Sequence, residues 1–302
     1  MQDTDAQVRL DRLETLELKP VGPQQGLVTG TASSVRDILQ YRELLVLLIR
    51  RELRARYKNS SLGGIWSLVK PIAQLLIYFI VIGQFLGAAR GIPEFAIFVF
   101  SGLTMWALFN ETVSGGAGSV VANSGLIKKV YLPREVFPLS TGGAALVNFA
   151  IQFTVLLAGT IVIGSFPWSQ RLVYVPVAIL LVITFGTALA IFLSAVNVYL
   201  RDVGHLMEIV ILILFWASPI VYSFSYVTNF LHGNWLEQVY LSNPVTLAIL
   251  AFQRGIWAAG ASEPFPSHMP LRLGVALLVS VALLWAAQRV FARLEGNFAQ
   301  EL

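Results

Sequence analysis

The chain has 302 residues, of which 56% are hydrophobic and only 13% carry a charge. Soluble proteins carry charges on about a quarter of their residues, so this composition excludes an ordinary soluble domain and predicts an all-α polytopic membrane protein. The net charge of +4 does not indicate nucleic-acid binding, because the basic residues lie at the edges of apolar segments. The absence of cysteine excludes disulfides and thiolate metal sites.

Two different segments precede the first long apolar run. Residues 1–34 mix acidic, basic, proline and glycine residues and are expected to form a mobile tail. Over residues 35–58, polar and apolar residues fall on opposite faces of a helix, which predicts an amphipathic helix at the membrane interface. No apolar segment typical of a signal peptide precedes residue 38, so the first span is expected to act as the insertion signal.

Six apolar segments are long enough to cross about 30 Å of hydrocarbon. They lie near residues 65–87, 95–113, 139–164, 172–198, 206–222 and 271–290. The Ser-Gly-Gly-Ala-Gly run at 114–118 is expected to end the second span. The apolar pieces within 223–260 are too short to span, and they are expected to form re-entrant or gate helices on the outer side. Residues 291–302 are expected to form a polar cytoplasmic tail, which leaves 35–290 as the membrane domain.

The positive charges indicate an orientation for these spans. In this layout all but four of the 21 Lys and Arg residues fall on one side, the exceptions being Arg90, Arg171, Arg254 and Arg272. Loops rich in Lys and Arg stay in the cytoplasm. The sequence therefore predicts a multi-pass membrane protein with both termini in the cytoplasm.

Few residues are arranged for catalysis. The sequence contains neither G-x-x-x-x-G-K-[ST] nor H-E-x-x-H, so the chain is not expected to hydrolyse a nucleotide by itself or to hold a metal ion. The three histidines are far apart in sequence and are expected to be solvated or locally bonded. Glu111 and Glu208 lie at predicted span ends, where a carboxylate avoids the cost of the membrane midplane, so they are not expected to form a proton relay.

Two predicted spans carry aromatic residues at helical spacing. One face holds Gln74, Tyr78 and Phe85, and the other holds Phe215, Tyr222 and Tyr226. Ordinary helix packing or an interfacial belt explains any single aromatic residue. A pore lined by aromatic rings is the alternative, because the C–H faces of sugars stack on such rings. Spacing does not decide between them.

The polar loop at residues 123–135 contains the apolar pair Leu126 and Ile127 beside Lys128 and Lys129. A solvated loop is one interpretation of this pattern. An exposed apolar pair on a short cytoplasmic helix is also what docking to a soluble partner protein requires. Both interpretations stay open at this point.

Three segments together resemble the membrane subunit of type-2 ATP-binding-cassette exporters of polysaccharides. They read RELRARYKNSSLGGIWSLVKP, NSGLIKKVYLPREVFPLS and RDVGHLMEIVILILFWASPIVY, and they occur in the order and at the intervals typical of that family. The ending FARLEGNFAQEL resembles the endings of such subunits. The resemblance implies a homodimer in the bacterial inner (plasma) membrane that binds two cytoplasmic ATPase subunits, which hold ATP and Mg, and that passes a lipid-linked polysaccharide between its protomers.

The resemblance also implies roles for particular residues. Docking to the ATPase is expected of Ser124, Leu126, Ile127, Lys128, Lys129, Arg50 and Arg54. The loop near which the substrate enters is expected to include Arg56, Lys58, Leu62 and Gly63. The candidate channel-lining residues are Gln74, Tyr78, Phe85, Phe215 and Tyr222.

The polysaccharide itself is less well indicated. The family exports O-antigens, capsules, teichoic acids or cell-wall galactan, and the Ala- and Gly-rich composition favours an actinobacterial galactan. An alternative function is a membrane-embedded enzyme of polyprenyl-linked glycan metabolism, which would need paired carboxylates in interfacial loops that the sequence does not offer. A third is an ungated channel, which would not need a docking loop.

Overall fold

The computed structural model describes residues 29–56, 65–129, 132–231 and 234–302. Five helical segments are long and apolar enough to cross a membrane, and they are Leu68–Phe85, Phe95–Ala122, Val136–Ile163, Gln170–Tyr199 and Met269–Asn297. Two shorter apolar helices, Val203–Trp216 and Pro244–Ile256, accompany them. The predicted class, an all-α polytopic membrane protein, is confirmed.

Most of the described residues lie in helices. In chain order these are α1 (Thr29–Gln40), α2 (Arg42–Arg56), α3 (Trp66–Tyr78), α4 (Ala88–Gly91), α5 (Phe95–Ala122), α6 (Ser124–Ile127), α7 (Val136–Ile163), α8 (Tyr174–Tyr199), α9 (Val203–Trp216), α10 (Phe224–Leu231), α11 (Trp235–Ser242), α12 (Pro244–Ile256), α13 (Met269–Leu294) and α14 (Phe298–Glu301). A π-helix, Phe79–Phe85, continues α3, and 3-10 turns cover Gln170–Val173, Ala258–Ser262 and Glu295–Asn297. We call the end of the bundle with α2, α6 and α14 the basal end, and the end with α10 to α12 the distal end.

The segment predicted as one amphipathic helix at 35–58 is two helices, α1 and α2, separated by Tyr41 alone. The Tyr41 backbone N–H still donates to the Asp37 carbonyl at 2.9 Å, so the two helices are nearly continuous. Helix α2 packs along α7, where Ile49 occupies the space that a side chain at Gly143 would fill. Leu48 is buried. Helix α2 is therefore docked on the bundle, in addition to exposing a polar face.

Helix α5 corrects the expectation that residues 114–118 end the second span. It runs through the glycines to Ala122, a length of 28 residues or about 42 Å. The glycines allow close contact between helices, because a Cβ on Gly116 would lie 2.4 Å from the Ala190 Cβ of α8. Asn197 of α8 adds a hydrogen bond to the Ala117 carbonyl at 3.0 Å. Small residues at such a crossing act as a contact surface and not as a break.

The predicted fifth span at 206–222 is also different. Helix α9 has only 14 residues and ends at Trp216, because Pro219 lacks a backbone N–H and disfavours a helical conformation at the residue before it. The following turns are buried from Ser218 to Val221, and Gln253 of α12 donates to the Pro219 carbonyl at 2.9 Å. Irregular backbone at membrane depth requires such cover by protein.

The basal end has a hydrophobic cluster of its own, which we call the basal cluster. Its buried members are Leu48, Val120, Ile127, Leu132, Val136, Phe137, Ile191, Ala195, Val198, Ala287, Phe291 and Phe298. These residues come from α2, α5, α6, α7, α8, α13 and α14, so one core joins nearly every element of this end. The presence of Phe298 corrects the expected polar tail at 291–302, since α13 continues to Leu294 and the segment after it packs beneath the bundle.

A buried carboxylate, Glu135, lies just before α7 at the basal end. The amide Nε2 of Gln288 donates to Glu135 Oε1 and to Ser34 Oγ, both at 2.8 Å. Burial raises the pKa of the Glu135 carboxyl, and the Gln288 hydrogen bond and the Arg289 charge offset part of this effect. The nearby Asp37 adds to the increase. The bonds to Gln288 join α1, α7 and α13.

The contact at Gly116 predicts opposite effects for two alanine substitutions. Gly116→Ala should destabilise the protein by about 1 to 3 kcal/mol, because the new methyl group overlaps Ala190. Gly118→Ala is the matched control, since its Cβ would meet nothing within 4 Å. It should stabilise α5 by about 0.5 to 1 kcal/mol. Thermal unfolding of the purified variants measures both, and equal midpoints would contradict the close helix contact.

Glu135→Gln should raise the unfolding temperature at neutral pH. A carboxyl whose pKa is raised on folding contributes stability below its unfolded pKa and loses it as pH rises through the folded pKa. The difference in unfolding temperature between the variant and the wild type should therefore shrink as the pH is lowered. The charged groups around this position are the same in both proteins, and they are Asp37, Arg134, Arg289 and Glu295. Unfolding temperatures from pH 5 to 8 test this, with Glu43→Gln on the exposed face of α2 as control. A variant that is less stable than wild type at pH 8 would contradict the assignment.

Candidate functional site

The arginines of α2 fall into two groups. Arg51 donates to the side-chain oxygen of Asn123, at the end of α5. Arg56 Nη1 lies 2.6 Å from Glu111 Oε2, and Asn148 Nδ2 of α7 donates to the same oxygen at 2.8 Å. These two arginines therefore bind α2 to α5 and, through Glu111, to α7.

Glu111 was expected at a span end, but it lies well inside α5 because that helix continues to Ala122. A carboxylate within an apolar helix is stabilised by a partner of opposite charge and by hydrogen-bond donors. Arg56 supplies the charge and Asn148 supplies a donor. The sequence pattern singled out Glu111 but did not connect it with Asn148. The signal in the sequence was a charged residue within an apolar run, which indicates that the residue has a polar or charged partner.

The other three arginines of α2 are exposed, and two of them, Arg50 and Arg54, lie one helical turn apart. Val46 and Leu47, on the preceding turn, are exposed as well. This face of α2 therefore combines positive charge with apolar surface. Such a face suits a protein partner or the membrane interface.

The loop after α5 does not present the apolar pair that the sequence predicts. Ile127 is buried in the basal cluster and Leu126 is half-buried against it. The single turn of α6 directs Ile127 inward, so the expectation of an exposed pair is wrong for Ile127. Ser124 is half-buried, and Lys128 and Lys129 are exposed. The two lysines form the accessible part of the loop.

The substrate-side residues are only partly described. Lys58, Leu62 and Gly63 lie outside the described residues, and Arg56 is engaged with Glu111. Of these four residues the structure describes only Arg56, which is the last residue of α2 and lies beside α5.

An aromatic group joins α3 to α9 and α5. The Tyr78 and Phe215 rings are stacked with centroids 6.1 Å apart, and the edge of Trp106 meets Phe215 at 5.4 Å. Gln74 precedes Tyr78 by one turn on α3. Phe215 is only 8% exposed, so it packs inside the chain beside the candidate channel residue Tyr78.

Phe85 and Tyr222 lie apart from that group. The helix changes from α to π at Phe79, so each later residue turns less than the α-helical 100°, and Phe85 leaves the face of Gln74 and Tyr78. Phe85 is 78% exposed. Tyr222 follows the end of α9 and therefore does not share a helical face with Phe215, as its spacing suggested.

Tyr222 lies at the distal end beside an open cavity of about 230 Å³. Its hydroxyl donates to the Trp216 carbonyl at 2.9 Å and lies 3.5 Å from the Tyr240 hydroxyl. The end of the π-helix and the segment after it form the opposite wall, through Ile82, Leu86, Gly87 and Ala88. The cavity thus has an aromatic, polar-tipped side and an apolar side.

Comparison with known proteins gives a consistent family assignment. Residues 43–257 match the ABC-2 type transporter family. The O-antigen export system permease protein RfbA of Myxococcus xanthus is 32% identical over 268 residues, which cover 89% of this chain and 98% of that protein. RfbA of Klebsiella pneumoniae is 29% identical over 181 residues, covering 60% and 69% of the two chains. The polysialic acid transport protein KpsM of Escherichia coli is 30% identical over 94 residues, covering 31% and 35%.

The matched region extends from the start of α2 to the residue after α12. It therefore includes the arginine contacts to α5 and α7, the loop with Lys128 and Lys129, and the aromatic group around Phe215. Since this region makes up most of the sequence, the chain belongs to the ABC-2 type transporter family.

Proposed function

We propose that the chain is the permease subunit of an exporter that moves a lipid-linked polysaccharide across the bacterial inner membrane. The observation that carries this proposal is the similarity to an O-antigen export permease over nearly the whole length of that relative. The names of the relatives favour an O-antigen type of polysaccharide over the galactan predicted from composition. The positive charges at the basal end support a cytoplasmic location for both termini.

ATP hydrolysis is assigned to a separate subunit, because the sequence lacks a phosphate-binding loop. Its docking surface is the basal end, where Arg50 and Arg54 of α2 lie exposed and Lys128 and Lys129 follow α6. Neighbouring residues connect this surface to the spans, since Arg51 binds Asn123 and Ile127 is buried in the basal cluster. A displacement of the surface is therefore transmitted to α5, α7 and α8.

The substrate path is assigned to the side of the protomer formed by α3 and α9. Both sides of this surface expose apolar side chains, which are Leu76 on α3, Ile80 on the π-helix that continues it, and Leu206 and Ile209 on α9. A second copy of the chain, lipid or the glycan would cover these faces. In a homodimer they border the passage, which ends near Tyr222 at the distal end.

Reconstitution tests the proposal as a whole. The chain is purified together with the ATPase encoded beside it, placed in liposomes and supplied with ATP and a polyprenyl-linked glycan. We expect two copies of each subunit and glycan movement that depends on ATP. Failure of any ATPase to bind the chain would refute an exporter of this kind, whereas ATPase binding without glycan movement would refute only the substrate.

Charge reversal in the basal loop should weaken ATPase binding. Lys128→Glu should lower the affinity about fivefold or more, because an exposed ion pair contributes up to ~1 kcal/mol and reversal replaces attraction by repulsion. Arg90→Glu is the matched control, since Arg90 is equally exposed but belongs to α4, away from the basal end. Affinities measured at two salt concentrations should differ less for Lys128→Glu than for wild type. An unchanged affinity would exclude this loop from the docking surface.

Two substitutions of Tyr222 separate stacking from hydrogen bonding. Tyr222→Phe removes the hydroxyl that bonds to the Trp216 carbonyl and keeps the ring. If the ring stacks on sugars, Tyr222→Phe should retain most of the export rate and Tyr222→Ala should lose about tenfold, as expected for about 1.4 kcal/mol of stacking. Glycan export per assembled complex measures both. Normal export by Tyr222→Ala would remove Tyr222 from the glycan path.

A further inference from the structure

The segment after α13 folds back beneath the bundle. A 3-10 turn at Glu295–Asn297 redirects the chain, and α14 follows it. Phe298, the first residue of α14, is completely buried, and Leu302 packs against the same basal cluster. The ABC-2 family match ends at residue 257, so it assigns no role to this segment.

Phe298 contacts three different elements. The edge of its ring meets Phe291 of α13 with centroids 5.4 Å apart, and Tyr199 at the end of α8 lies at 6.1 Å. The guanidinium carbon of Arg134 lies 5.7 Å from the centre of the Phe298 ring. A cation over an aromatic face is attracted by the ring's quadrupole. Tyr199 also donates to the Leu294 carbonyl at 2.8 Å, which fixes α8 to the end of α13.

Arg134 and the adjacent Glu135 form the junction between the basal loop and α7. Phe298 contacts Arg134, and Gln288 donates to Glu135 at 2.8 Å. Helix α14 thus holds the first residue of the junction through a cation–π contact, and α13 holds the second through a hydrogen bond. The other end of the loop, at Asn123, is held by Arg51 of α2.

We infer that Phe298 and Gln288 are positioning residues, which clamp the junction at Arg134 and Glu135 and thereby set the position of the preceding basal loop, of which residues 123–129 are described. The loop carries Lys128 and Lys129 on its accessible side and Ile127 in the basal cluster. A loop held at both ends moves together with α5, α7 and α13. Release of the clamp leaves the loop attached to the bundle but mobile relative to it.

A nitroxide label on the loop tests this inference directly. The sequence contains no cysteine, so Ser124→Cys introduces a single labelling site, on a half-buried residue whose spectrum reports local packing. The full chain is labelled in lipid nanodiscs as wild type, Phe298→Ala, Phe298→Leu, Gln288→Leu and Gln300→Ala. Gln300 is exposed on α14 and serves as the matched control.

We expect a mobile spectral component to increase in Phe298→Ala and Gln288→Leu and to stay at the wild-type level in Gln300→Ala. Phe298→Leu keeps apolar volume in the cluster and loses the ring beneath Arg134, so it should show the same change with an intact fold. If Phe298→Ala fails to fold, the spectrum of Phe298→Leu decides the test. Wild-type spectra for both Phe298→Leu and Gln288→Leu would overturn the inference.

A second readout rests on the proposed function. In the reconstituted exporter, glycan moved per ATP hydrolysed should fall about twofold to thirtyfold in Phe298→Leu, the range typical of mutations along a coupling path, while ATPase binding persists. The spectra need neither ATPase nor glycan. If the loop becomes mobile in Phe298→Leu but the chain binds no ATPase, the exporter is refuted and the clamp is supported. If the loop stays rigid in Phe298→Leu and the exporter is active, the clamp alone is refuted.

Discussion

The ion pair between Arg56 and Glu111 is the contact on which the basal end depends. Glu111 lies inside a long apolar helix, where an unpaired carboxylate would be costly, and the arginine that neutralises it comes from α2. Asn148 occupies the same carboxylate oxygen, so the pair also connects α7. Departure of α2 from the bundle would break this ion pair, so the pair helps to hold the exposed face of α2 in a fixed orientation relative to the spans.

Together with the ion pair between Arg56 and Glu111, the remaining contacts join the elements of the basal end into one rigid body. The loop at 123–135 begins beside Arg51, buries Ile127 in the basal cluster and ends at the junction clamped by Phe298 and Gln288. The exposed lysines are thus carried by a segment that is fixed at its start, middle and end. Close packing transmits displacement because a filled core cannot deform smoothly. A partner that presses on this surface acts on the spans and not on a flexible loop.

Sequence patterns predicted what depends on the length of the apolar segments, and failed where packing decides. Apolar runs of span length identified the five long helices, since lipid imposes a minimum length. The glycines at 114–118 wrongly predicted the end of a helix, because a residue without Cβ suits both a turn and a close contact between helices. The contact with Ala190 on the neighbouring helix shows that the second applies here. Face assignments for Phe85 and Ile127 failed for related reasons. The first depends on a change to π-helical winding, and the second on which side of a single turn meets the core.

The two sides of the protomer differ in how strongly they are held. Most of α5 is buried, and α8 crosses it through glycine and alanine at contact distance. Only 11% of Leu68–Phe85, which comprises most of α3 and the π-helix after it, is buried, and ring contacts such as Tyr78 on Phe215 and Phe79 near Phe95 join this segment to the bundle. Stacked rings contribute about 0.5 to 1.5 kcal/mol beyond their buried area, far less than a continuous helix interface. Relative motion within the protomer is therefore least costly between α3 and the body formed by α5, α7, α8 and α13, which is the side that borders the proposed passage.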